Sequence, residues 1–203
     1  MYSTKTATTN NNEFNSSYMP VGINENVILK EVNIKKTDNG RDFLEIIFEN
    51  EQGQTATMTE WKNEKNMWIK TDEDLQNRDN QQFGRILQVI SAVNRTNDVI
   101  DAEFNSFVEM INWVKTKIDG YINTSENPKL RLKVVYDKKG YTKVSSLGTF
   151  VEPMSVTESQ IKLWKNDLLE RPIVADVEPA TDPLAGNSAP VTETSTGGDD
   201  LPF

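Results

Sequence analysis

From Asn26 to Lys62 apolar residues recur at every second position, the period of strands whose two faces meet different surroundings. Val27 and Leu29 share one parity, and Val32 and Ile34 the other. The inward face therefore changes phase near Lys30 and Glu31, which predicts a bulge in one long, bent strand over 26–36. Thr37-Asp38-Asn39-Gly40 supplies a hairpin turn, because Asn-Gly tolerates the positive φ that tight hairpins need. A second strand over 43–48 puts Leu44, Ile46 and Phe48 on one face and Phe43, Glu45 and Ile47 on the other. A turn at 51–54 leads to a third strand over 55–62, where Ala56 and Met58 oppose Thr57, Thr59 and Trp61.

Helical spacing replaces alternation after about residue 80. Phe83, Ile86, Leu87, Ile90 and Val93 make one stripe, and Phe104, Phe107, Val108, Ile111, Val114 and Ile118 make a second, which Gly120 is suited to stop. Alternation returns with Leu130, Leu132, Val134 and Tyr136; Asp137-Lys138-Lys139-Gly140 then turns the chain into strands over 141–146 and 147–151. Ile161, Trp164 and Leu168 predict a last amphipathic helix within 154–171, with Thr157 and Gln160 as its capping box and Pro172 as its stop. Three strands, a helical insertion over about 80–120, then two strands describe a mainly β, α+β domain over 20–153. This is the element order of the OB-fold, a five-stranded barrel, although SH3-like barrels and other small β folds share parts of it.

Composition bounds the chemistry. Among 203 residues there is no Cys and no His, which removes disulfides, thiolate and imidazole catalysis, and Cys/His metal sites. Residues 3–17 are 11 parts in 15 Ser, Thr or Asn, so 1–19 reads as a flexible arm. Residues 172–203 hold five of the eight prolines and six acids with no Lys or Arg, and read as a disordered acidic tail. That tail carries six of the nine net negative charges, whereas 129–143 is locally +5. No apolar run suits a membrane span and no leader-like segment opens the chain, so no membrane partner is expected and the cytoplasm is the expected compartment.

The tail ends in Asp199-Asp200-Leu201-Pro202-Phe203. This tip resembles that of bacterial-type single-stranded-DNA-binding proteins (SSBs), in which a disordered acidic tail finishes in Ile-Pro-Phe or Leu-Pro-Phe. It departs from the commonest form in having two acids instead of three and Leu in place of Ile. The body adds little to the likeness: Asn26-Val27-Ile28-Leu29 is only faintly similar to the family's first strand. The resemblance implies that the tip docks replication, recombination and repair proteins, and that the tail competes with DNA for the domain's basic groove. Independently, an apolar ring beside a carboxylate on a mobile tether suits a shallow pocket with a basic rim. With 21 Asn and many Lys and Ile, the composition suits an AT-rich genome, and a bacteriophage origin in a host-cell cytoplasm is expected.

Binding single strands without sequence preference requires aromatic stacking and cationic tracking of phosphates. The candidates are Arg41, Phe43, Trp61, Lys62, Lys65 and Trp68 around the first three strands, and Arg131, Lys133, Lys138, Lys139, Tyr141 and Lys143 on the basic hairpin. Each aromatic reads equally well as a core or loop anchor, and the lysines as a solvated hairpin. No cofactor or metal is expected: Asp72-Glu73-Asp74 opens like a calcium loop, but Asn77 and Phe83 stand where it needs Gly and Glu. A non-catalytic coat protein for single-stranded DNA is the leading expectation, with homo-oligomers left open. Its rivals are an adaptor or decoy that carries the tip without binding DNA, and a carboxylate nuclease, for which no motif speaks.

Overall fold

The computed structural model describes residues 17–95 and 101–172. The expected tail, its tip Asp199 to Phe203, and residues 1–16 of the expected arm lie outside the described residues. Strands β1 (Gly22–Lys36), β2 (Asp42–Glu49) and β3 (Thr55–Trp61) form an antiparallel meander. Helices α1 (Asp72–Asn94) and α2 (Phe107–Ile118) follow, then β4 (Leu130–Tyr136), β5 (Thr142–Val144) and β6 (Val151–Pro153). The sheet runs in the order β3-β2-β1-β4-β5, with β6 also paired to β4. Six strands replace the five expected, and among the described residues no ladder joins β3 to β5, although these two strands approach each other.

Two irregularities let β1 serve two neighbours. Its register against β2 shifts between Leu29 and Glu31, where the change of parity places a bulge. Its register against β4 shifts between Asn24 and Val27, and there Asn26 adopts φ 57°, a left-handed conformation that Asn tolerates better than most residues. Past the last β1–β4 pair, Val27 with Leu130, the backbone of Leu29 is met by Asn127, whose Nδ2 donates to the Leu29 carbonyl at 2.7 Å and whose Oδ1 accepts from the Leu29 N–H at 3.3 Å. The side-chain amide thus substitutes for a strand partner.

Leu44, Ile46 and Phe48 of β2 are fully buried, as alternation predicts, and face a core completed by Ile86, Ile90 and Ile111 from the helices. Burying each such side chain is worth about 1.5–3 kcal/mol. Helix α1 starts at Asp72, well before the expected position. Thr71 and Asp74 form a reciprocal capping box, the Asp74 N–H donating to Thr71 Oγ1 and the Thr71 N–H to Asp74 Oδ2, each at 3.0 Å. The Thr71 N–H and hydroxyl hold the Asp74 carboxyl below its ordinary pKa. Burial begins only at Gln82, which is why hydrophobic spacing hid the first turns. The expected arm is also shorter than 1–19: Met19 is fully buried, and Tyr18 forms a parallel bridge to Thr55.

The helix expected within 154–171 is absent; the segment consists of turns and irregular chain. Its N–H groups go to side chains instead of to carbonyls four residues back. Gln160 donates to Glu152 at 2.9 Å, Ile161 to Ser159 at 3.2 Å and Trp164 to Asp167 at 2.7 Å. The strand expected over 147–151 is likewise displaced: five extra residues loop out opposite Lys133 between β5 and β6.

Glu152 ties this segment down and makes the fold acid-sensitive. Its carboxylate, 6% exposed, faces a burial penalty that would raise its pKa. Hydrogen bonds from Ser159, the Gln160 N–H and Arg131 outweigh that penalty and lower it overall. The unfolded chain therefore binds this proton more readily than the folded one, so the stabilisation is complete above about pH 5 and disappears as pH falls through the folded value. Glu152→Gln should lower the melting temperature clearly at pH 7 and much less near pH 3. An equal gap at both pH values would contradict this assignment.

Candidate functional site

The β1–β2 turn closes through Thr37, whose N–H donates to the Arg41 carbonyl at 2.9 Å, while Gly40 takes φ 77°. The β2–β3 turn, where the Asn50 N–H donates to the Gln54 carbonyl at 3.0 Å, starts the register in which Phe43 lies directly across from Trp61 on the face opposite Leu44 and Ile46. The two rings stack with centroids 4.3 Å apart and an interplanar angle of 26°. The Arg41 guanidinium lies 5.5 Å from the Trp61 centroid and donates to the Lys62 carbonyl at 2.8 Å. Four of the sequence candidates, Arg41, Phe43, Trp61 and Lys62, therefore meet at one sheet end, and Trp61 is 38% exposed.

Helix α1 braces this platform through residues that alternation did not flag. Glu60 is buried and receives Arg85 in a two-point pair, Nε at 2.9 Å and Nη2 at 2.8 Å. Gln82 Nε2 donates to Glu60 and to the Trp61 carbonyl, both at 2.8 Å. A buried polar network satisfied on this scale holds the end of β3 in one position. The available sequence signal was weak: an acid at an inward parity position of a strand, which calls for a buried cation.

Beyond β3, Asn66 Oδ1 accepts from the Trp68 N–H at 2.8 Å and the Ile69 N–H at 3.1 Å, a turn that buries Ile69 and leaves Trp68 82% exposed. Lys65 pairs with Asp72 at 2.6 Å, but both side chains are largely in solvent, so the pair is weak and a phosphate can replace the carboxylate.

The β4–β5 hairpin forms a second cluster. Asp137 caps its turn, accepting from the N–H groups of Tyr141 at 2.9 Å and Lys139 at 2.8 Å. The Tyr141 N–H, followed by that of Lys139 and the charges of Lys143 and Lys139, holds the Asp137 carboxyl below its ordinary pKa. Lys138, Lys139, Tyr141 and Lys143 are exposed, and among the described residues none of the three lysines closes an ion pair. Arg171, absent from the sequence candidates, lies across the same turn, with its Nε 3.1 Å from where a Cβ on Gly140 would stand.

Two candidates are not available as free surface cations. Lys133 is fully buried. Its Nζ donates to the Leu147 carbonyl at 2.8 Å, the Lys162 carbonyl at 3.0 Å and Asp167 at 3.0 Å, which uses all three protons. Arg131 is spent on Glu152 at 2.6 Å and Glu25 at 3.1 Å, with its side chain 14% exposed. Strand parity pointed both outwards, but residues 145–168 cover that face of β4.

Among the described residues no helix is long and apolar enough to cross a membrane, and no group of acidic side chains is placed to hold a metal ion. No protein-family model matches the chain, and no curated protein matches it.

Proposed function

We propose that the chain is a non-catalytic single-stranded-DNA-binding protein that coats DNA during replication, recombination and repair. The carrying observation is the Arg41–Trp61–Phe43 stack with Lys62 beside it, an aromatic platform edged by cations at the end of a braced sheet. Bases are held by their π-faces on such a platform and phosphates by the adjoining charges, which requires no sequence readout. The β4–β5 hairpin supplies further phosphate contacts through Lys138, Lys139 and Lys143, with Tyr141 available for stacking. Strand order β3-β2-β1-β4-β5, with β3 and β5 drawn together, supports reading the sheet as a divergent OB-fold barrel, whose β2–β3 face and first and last hairpin loops carry ligands. Asp199, Asp200, Leu201, Pro202 and Phe203 then serve as the peptide by which partner proteins are recruited, a role that rests on their likeness to the SSB tip.

The test is a titration of the full chain with labelled oligo-dT across salt concentrations. Affinity should fall with a log–log slope of about −0.7 per phosphate neutralised. Reversing Lys138 and Lys139 to Glu should flatten that slope by at least about 1.4. Absence of binding at low salt would end the proposal.

A further inference from the structure

A groove of about 1270 Å³ opens beside the aromatic platform, between the β1–β2 turn, the chain after β3, α1 and the start of α2. Asn39, Arg41 and Lys62 belong both to the platform end and to this groove. Its apolar side presents Phe83 and Phe104, which meet edge to face with centroids 5.7 Å apart. The polar rim is unlike that of a phosphate channel: Asp42, Glu64, Asp79 and Glu103 outnumber Arg41 and Lys62. Among the described residues Glu64, Asp79 and Glu103 close no ion pair.

One amide in the groove has a set orientation. Asn63 Nδ2 donates to Asp79 Oδ1 at 2.9 Å and to Gln82 Oε1 at 3.3 Å, so its donors are used and its carbonyl oxygen is left as an acceptor. With the free carboxylate oxygens of Asp79, Glu64 and Glu103, the rim is dominated by acceptors. A strand leaving the Trp61 platform through this groove meets repulsion for its phosphates and apolar contact plus acceptors for its bases. Only a base carrying an exocyclic amine donates two protons to such a rim; carboxylates accepting from cytosine N4 are the familiar case.

We infer that the groove is a nucleobase subsite that takes bases turned inwards, phosphates at the Arg41 and Lys62 rim, and favours amino-bearing bases over uracil and thymine. This rests on the single-strand-binding reading and adds a base preference to it. The same acidic rim argues against the tail's acidic tip as the occupant.

Full-length protein is titrated with oligo-dC and oligo-dU of equal length at pH 8, a pair that differs at the pyrimidine edge without the thymine methyl. Oligo-dC should bind about fivefold tighter, equivalent to roughly 1 kcal/mol. In the double variant Asp79→Asn with Glu103→Gln the ratio should fall towards one while oligo-dU affinity is retained or rises, because two repulsive charges are removed. Equal binding of both oligonucleotides by the unaltered chain, or a ratio that survives the double variant, would overturn the subsite. If neither oligonucleotide nor oligo-dT binds, the single-strand-binding reading itself fails, a result distinct from either of these.

Discussion

Lys133→Met is expected to destabilise the domain by about 3–5 kcal/mol, the cost of removing one partner from a buried ion pair. Side-chain exposure is 0% for Lys133 and 1% for Asp167, so the variant leaves a carboxylate in the interior with no countercharge. The same change strips donors from the Leu147 and Lys162 carbonyls, which loosens both segments that cover β4. With urea m-values of roughly 1–3 kcal/mol/M, the unfolding midpoint should move down by at least about 1 M. Combining Lys133→Met with Asp167→Asn should recover a substantial part of the loss. The amide oxygen still accepts from the Trp164 N–H, as Asp167 Oδ2 does at 2.7 Å, and the NH2 donates to Ser145 Oγ, which lies 3.2 Å from Asp167 Oδ1, while the buried charge is gone. A loss below about 1 kcal/mol in the single variant, or no recovery in the double, would mean that this pair does not clamp the segments. For the same reason, charge reversal at Lys133 would report on folding and not on DNA contact.

Trp61→Ala should weaken oligo-dT binding by about 5- to 150-fold, corresponding to 1–3 kcal/mol for one stacked base. The loss has two sources. The indole itself disappears, and Phe43 and Arg41 lose the ring that positions them, a pairing worth about 0.5–1.5 kcal/mol to the fold. Trp61→Phe separates these sources, since it restores a stacking surface and should recover most of the affinity. An arriving base competes with Arg41 for the indole face, so Arg41→Ala frees that face for stacking while it removes one phosphate contact. Anisotropy titrations of the Trp61 variants at one fixed salt concentration check the prediction. Affinity within twofold of the unaltered chain for Trp61→Ala would remove the platform from the site.

Local pattern carried much of the architecture. The inward faces of β2 and β3, the change of phase in β1 and the three Gly-containing hairpin turns follow from the spacing of apolar residues and from φ preferences. Both depend on neighbours within a few positions. The buried positions of α1 and α2 follow from the same logic, as Ile86, Ile90, Ile111 and Val114 show. The polar first turns of α1 escaped that logic, yet Thr71-Asp72-Glu73-Asp74 already spelled out the capping box.

What the order of residues could not decide is what lies over an outward-facing position. Lys133 and Arg131 have the parity of solvent-exposed strand residues; Lys133 becomes interior, and Arg131 is largely covered and paired, only because a later segment folds back across them. That segment carried the spacing of a helix in Ile161, Trp164 and Leu168, but its N–H groups found acceptors on Glu152, Ser159 and Asp167 first. Likewise, alternation placed Phe43 and Trp61 on one face, whereas their direct opposition, Arg41 above the indole and the bracing by Glu60, Gln82 and Arg85 required a register and a helix docked in three dimensions. Period and turn chemistry are properties of neighbours along the chain; burial of a charge and assembly of a binding surface are properties of partners that only tertiary packing brings within a few ångströms.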